Sequence, residues 1–375
     1  MKTHKLARSF FAVAVLSFLL SGCYPTGEVS ISNNSSASSN TAENGGSSQS
    51  GESQDIEEVE NLTVSVELPE SWPNEVNAID LSVKRWDDEA IKETLIGEKT
   101  ISKTSQTPSD YYPGEFIQVY DTEDDWRLIL QSGSISFENR GLLEKYHYGS
   151  FQNVFDQVYV ENDMPDSLEG FSKSDAIETV KELLDKLDIT NVSEPDVYAL
   201  SCEWAMEYLR GTWKEEPDVD YTRWTKDDEI YVLVFPLEYE NVPLATHSAL
   251  ILGTDIYSRT TSIKAVVSKQ GLISIDCDYL FEEKYEKGEI KPIKIDAKTA
   301  LNLLVSSYSK RVLDPTTINK CRLVYFPSAV GEEYVSYTYS PFWEFEILKE
   351  TRSIGTLKKY EYINAETGIG STIYY

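Results

Sequence analysis

Apolar positions fall into three regimes along this 375-residue chain. First comes an eleven-residue run from Phe10 to Leu20, broken only by Ser17. From Ser30 to Glu60 large apolar residues almost vanish among Ser, Asn and Gly, so this segment cannot bury enough surface to order itself. From Leu62 onward they return at regular intervals, which predict the folded elements.

Two stretches carry helical spacing. "FSKSDAIETVKELL" (Phe171 to Leu184) and "IDAKTALNLLVSSY" (Ile295 to Tyr308) align without a gap, Ala176 with Ala300, Ile177 with Leu301 and Val180 with Leu304. Each sets apolar residues at i, i+3, i+4 and i+7, which makes one stripe for burial. Each opens on a capping residue, Ser172 or Asp296, and Ser172 with Asp175 has the form of a capping box. Strand-like alternation and a glycine turn follow both times. In the first copy these are "EIYVLVFPLEY" (Glu229 to Tyr239) and "IKAVVSKQGLISI" (Ile263 to Ile275); in the second, "YVSYTYSPFWEFEI" (Tyr334 to Ile347) and "YEYINAETGIGSTIYY" (Tyr360 to Tyr375). Gly271 and Gly368 supply the positive φ of the turns.

Upstream, "LTVSVEL" and "NAIDLSVKRW" read as strands, "DDEAIKETLIG" as a short helix with acids in its first turn, and "WRLILQSGSISF" as a hairpin turning at Ser132-Gly133. The predicted fold class is α+β: antiparallel sheets each packed on one helix, repeated in tandem, after a β-rich N-terminal domain. About 310 residues are too many for one comfortable core. The polar connections "YVENDMPDSLEG" and "FEEKYEKGEIKP" divide them into 62–165, 166–290 and 291–375.

The apolar run near the start follows Lys2, Lys5 and Arg8, the basic-then-apolar order of an export signal, and is shorter than the roughly 20 residues that cross a bilayer. Leu20-Ser21-Gly22-Cys23 closes it and resembles the lipobox of bacterial lipoproteins. The resemblance implies removal of residues 1–22 and diacylation of Cys23, and two acyl chains suffice for stable anchoring. Residues 23–61 then form a lipid-anchored tether with a mean reach of about 30 Å, and roughly 100 Å when stretched.

Removing the signal takes away three of the 34 basic residues and none of the 63 acidic ones, leaving a net charge of −32. A surface of that sign repels nucleic acid and anionic headgroups, so the membrane contact expected is the N-terminal lipid alone.

"FWEFEI" followed by "YEYINAETGIG" is similar to the close of PepSY-type units, small exported α+β modules; the matching positions are Asn364, Ala365, Thr367, Gly368 and Ile369. In the first copy the motif is reduced to "SKQG". The arrangement also resembles uncharacterised lipoproteins of low-GC Gram-positive bacteria. The PepSY resemblance implies inhibitory, regulatory or protein-binding roles, and it brings no catalytic residues.

Candidate chemistry is sparse. Past the signal the only histidines are His147 and His247, and neither lies in a metal-ligand spacing or beside a G-x-S-x-G nucleophile. Cys202, Cys277 and Cys321 make an odd set without a C-x-x-C pair and read as buried thiols. "DTEDDW" (Asp121 to Trp126) and "DVDYTRWTKDDE" (Asp218 to Glu229) are acidic but lack the glycine and distal glutamate of an EF-hand. The aromatic run from Tyr334 to Ile347, with Trp204, Trp213 and Trp224, reads as core packing before it reads as a stacking platform for sugars. No metal or cofactor is expected.

The function expected is therefore a lipid-anchored extracytoplasmic binding or regulatory module without catalysis, contacting a protein or cell-wall partner. The alternative is a cell-envelope glycan hydrolase using a carboxylate pair that the sequence does not single out. A solute-binding lipoprotein would need two α/β lobes with parallel strands, which the meander-like order disfavours.

Overall fold

A computed structural model describes residues 58–109, 112, 114–146, 151, 164–212, 224–247, 261–283, 289–310, 313–330, 336–351 and 355–371. Cys23, its signal and nearly all of the tether lie outside the described residues, as do His147 and Trp213.

The expected α+β class is corrected by the balance of elements. The protein is mostly β, with nineteen strands and five α-helices among the described residues, gathered into large, mainly antiparallel sheets instead of repeated helix-packed units. The physical reason lies in pairing. Alternation along a strand shows which face is buried but does not show which distant strand takes its edge.

Eight strands form one sheet, in the order Ile101–Pro108, Phe116–Thr122, Trp126–Gln131, Ser134–Asn139, Gly271–Asp278, Ser262–Ser268, Ile230–Phe235 and Asp196–Leu200. All its ladders are antiparallel, and Ile275 opposite Phe137 joins the early meander to the later strands. The hairpin between Gln131 and Ser134 turns at Ser132-Gly133 as its sequence predicts, Gly133 having φ 73°. A Cβ there would lie 2.7 Å from Cγ1 of Val83, so glycine is required for space as well as conformation.

The seven-stranded sheet is organised around the long strands Thr316–Val330 and Ser336–Thr351. Leu62–Glu67 pairs in parallel with the first of these. The far edge of Ser336–Thr351 is shared between Gly355–Asn364, which covers Phe342 to Thr351, and Ile79–Val83, which covers Ser336 to Tyr339.

Both helices predicted by spacing form with the caps predicted for them. Lys173–Lys186 is capped by Ser172, whose Oγ accepts the Asp175 N–H at 3.0 Å. It lays Ala176, Val180 and Leu184 into the apolar cluster of the eight-stranded sheet. Ala297–Tyr308 is capped by Asp296 through the Thr299 N–H at 2.6 Å, and it buries Ala300, Leu301, Leu304 and Val305 against Trp343, Phe345 and Ile347. Each such side chain contributes about 1.5 to 3 kcal/mol before entropy is counted. Trp343 also satisfies its one polar atom, with Nε1 donating to the carbonyl of Ile295 at 2.7 Å.

One apolar cluster spans the two sheets, with Leu81, Tyr325, Tyr337 and Tyr339 from the seven-stranded sheet among Leu233, Phe235, Ile263 and Ile275 from the other. A backbone contact fixes the same junction: the Ala245 N–H donates to the carbonyl of Tyr325 at 2.9 Å, setting residues 244–247 beside Thr316–Val330. Among the described residues no helix is long and apolar enough to cross a membrane.

Candidate functional site

Ser336–Thr351 is buried on both faces along its middle. Since side chains alternate, Trp343, Phe345 and Ile347 turn toward the Ala297–Tyr308 helix, and Glu344 and Glu346 turn the other way. Cross-strand register then builds two polar rows. Arg322, Glu344 and Tyr362 stand side by side across three strands, and Lys320, Glu346 and Tyr360 form the adjacent row.

Glu344 is only 3% exposed, and burying a lone carboxylate would be very costly. Both of its oxygens are held. Arg322 donates through Nε to Oε1 at 2.5 Å, and the Tyr362 hydroxyl donates to Oε2 at 3.0 Å. Glu346 is also buried; Asn319 Nδ2 donates to Oε1 at 2.7 Å, the Tyr360 hydroxyl donates to Oε2 at 3.3 Å, and the Lys358 and Lys320 ammonium groups lie 3.6 and 3.7 Å from Oε2. On the opposite face, Glu361 accepts from the hydroxyl of Tyr308 at 2.7 Å and from Lys359 at 2.8 Å.

The titration of Glu346, Tyr360, Tyr362 and Arg322 follows from these contacts. Burial pulls the Glu346 carboxyl upward, but Lys358, the Asn319 hydrogen bond and Lys320 outweigh it, and the group ends below its ordinary range. Burial, then the nearby glutamates, push the Tyr360 and Tyr362 phenols up, so both remain protonated donors at neutral pH. Burial works against the Arg322 charge, and Glu344 more than restores it.

A cleft of about 460 Å³ opens over these rows. Strand Leu62–Glu67 contributes Ser65 and Glu67 to its lining, and Asp196 comes from the edge of the eight-stranded sheet. His247 closes over Tyr360, the two rings stacked with centroids 3.6 Å apart and planes 15° from parallel.

Of the residues singled out by sequence, His247 is therefore beside the cleft. Trp224 packs on Tyr146 and Phe151, and Trp204 stacks on Tyr208, within an apolar cluster apart from it. In the acidic turn, Asp121 is taken by Arg127 at 2.7 Å and Asp124 by Lys99 at 2.7 Å. Asp228 accepts from Lys145 and Tyr146. Cys202, Cys277 and Cys321 are buried and unpaired.

Cys202, Glu203 and Glu229 bring their ligand atoms within 4.8 Å of one another. Their hydrogen bonds are those of a helix start. Glu229 Oε1 accepts the backbone N–H of Cys202 at 3.2 Å, and burial, then a hydrogen bond to Glu203, pushes the thiol up to about 11.

No family model and no curated protein matches the chain. Among solved structures it is similar to an uncharacterized protein from Eubacterium rectale ATCC 33656, at TM-score 0.65 and 16% identity, over 84% of this chain and 92% of that one. At such identity the likeness shows the fold alone.

Proposed function

We propose that this protein is a lipid-anchored, extracytoplasmic binding module that holds its ligand in the cleft over Arg322 and Glu344 and performs no catalysis. The observation that carries the reading is the way the two carboxylates are tied. A glycosidase pair needs one carboxyl held protonated near neutral pH to donate to the leaving group. Here Glu346 is displaced in the opposite direction by its cations, and Glu344 has one oxygen on a guanidinium and the other on a phenol. These ties support a role for the two side chains in shaping the cleft.

The anchor rests on the lipobox-like Leu20 to Cys23 and the polar tether, which together place the cleft within reach of envelope components. A net charge of −32 directs that search away from nucleic acid and anionic polymers.

The test uses full-length protein and its Cys23→Ala variant. Detergent-dependent extraction of the first and free release of the second is expected from the anchor. Calorimetry with soluble wall fragments should register binding without any rise in reducing ends. Release of reducing ends that disappears in Glu344→Gln would replace this reading with the hydrolase.

A further inference from the structure

The lattice under the cleft leaves a specific set of charged atoms without partners. Of the guanidinium nitrogens of Arg322 only Nε is engaged; among the described residues Nη1 and Nη2 make no hydrogen bond, and the side chain is 37% exposed although it stands at the cleft floor. Beside it the Lys320 side chain is 65% exposed, its ammonium 3.7 Å from Glu346. The lining also holds the exposed carboxylates of Glu67, the ladder neighbour of Lys320, and of Asp196, from the edge of the other sheet; among the described residues neither makes an ion pair or a hydrogen bond. A donor fork and two carboxylates thus share the lining of one cleft.

Each class of ligand can be weighed against that set. An apolar molecule would strip water from all these groups and pair none of them. A polyanion would gain the fork and meet Glu67, Asp196 and the acids behind it. A neutral glycan uses neither charge. A molecule with a carboxylate and an ammonium a few bonds apart satisfies both kinds of group, since a planar guanidinium grips a carboxylate through paired N–H donors. A volume of about 460 Å³ suits an amino acid or a dipeptide.

The geometry points to a zwitterion site: the cleft binds a free amino acid or short peptide, its carboxylate on Nη1 and Nη2 of Arg322 with support from Lys320, its ammonium between Asp196 and Glu67. This rests on the binding-module reading and gives that module its ligand class.

The experiment is isothermal titration calorimetry on the Cys23→Ala chain at low salt. The probes are alanyl-alanine, lysine and glutamate, then alanyl-alanine with its amine acetylated or its carboxylate amidated, and finally N-acetylglucosamine oligomers. Capping either end is expected to weaken binding at least tenfold. Asp196→Asn, at an exposed position that carries no packing, and Arg322→Lys, which keeps a cation beside Glu344 but loses the fork, are each expected to do the same with an unchanged circular dichroism spectrum. Capped and free dipeptides binding alike, or none of the zwitterions binding, overturns the inference. If the oligomers bind while the zwitterions do not, the zwitterion site falls and the binding module stands. If the oligomers are cleaved and no zwitterion binds, both fall.

Discussion

The imidazole of His247 lies flat on the ring of Tyr360, 3.6 Å away, where Arg322, Lys358 and Lys264 all bear on it. Burial comes first, and then these three cations, in holding the ring well below its ordinary value near 6.5, so it is neutral in the folded protein. In the unfolded chain it takes up a proton below about pH 6.5, so unfolding gains protons there and stability falls as the pH drops. Above that pH the contribution is complete. His247→Phe, which keeps a flat ring on Tyr360, should remove this part of the acid sensitivity. Urea titrations at pH 5 and 7.5 would check it, and equal slopes against pH in both proteins would refute it.

Asp276 titrates in the opposite sense. Its carboxyl accepts from Ser136 at 2.6 Å, but burial, helped by Asp278 and Glu138, pushes it up to about 7. A raised acid favours the folded state below the unfolded value near 4, and that advantage is lost as the pH rises through about 7. Asp276→Asn should therefore be stabilising at pH 8, by at least about 1 kcal/mol, and close to neutral at pH 4.

The Arg322–Glu344 pair should resist removal of one partner more than removal of both. Arg322→Ala leaves Glu344 buried with, among the described residues, a phenol as its only donor, which is expected to cost about 2 to 4 kcal/mol, less than a wholly dry pair because Arg322 is partly exposed. Arg322→Met combined with Glu344→Leu should recover most of that loss in denaturant melts, since two apolar side chains carry no desolvation penalty.

The three thiols should be silent in the native state. Burial raises all of them, Cys202 to about 11, Cys321 to about 12 and Cys277 well above its ordinary value, so little thiolate exists at neutral pH. In the Cys23→Ala chain a thiol reagent should find almost nothing before unfolding and three groups afterwards.

A cap test addresses the helix under the seven-stranded sheet. Asp296→Ala removes the acceptor for the Thr299 N–H and should cost about 1 kcal/mol, visible as a lower midpoint without a change in slope.

Particular residues mark where the sequence was legible. Ser172 and Asp296 announced their helices because a cap and an apolar stripe are local features, and the Ser132-Gly133 turn was readable for the same reason. The tandem architecture failed because ladder partners are set over long separations: Ile275 goes to Phe137, and Tyr337 to Leu81. The cleft was missed although its signal was present. Lys320 and Arg322 in "NKCRLVYF", Glu344 and Glu346 in "FWEFEI", and Tyr360 and Tyr362 in "YEYIN" are each two apart within apolar runs. Such residues share one strand face, and acids on a buried face require donors from neighbouring strands. Only the register makes them partners.

Leu62–Glu67 lies in parallel against Thr316–Val330, and near its start Asn61 donates to the carbonyl of Leu313, 252 positions away. Among the described residues this first strand thus has no ladder partner until the chain has been made past residue 316. Ile79–Val83 can meet Phe281–Glu283 earlier, but the central ladders of this sheet wait for Thr316–Val330 and the strands after it. Contacts of such separation fold slowly, so the fresh chain must remain open, with bare strand edges in need of a chaperone's protection, for longer than a helical protein of the same length would.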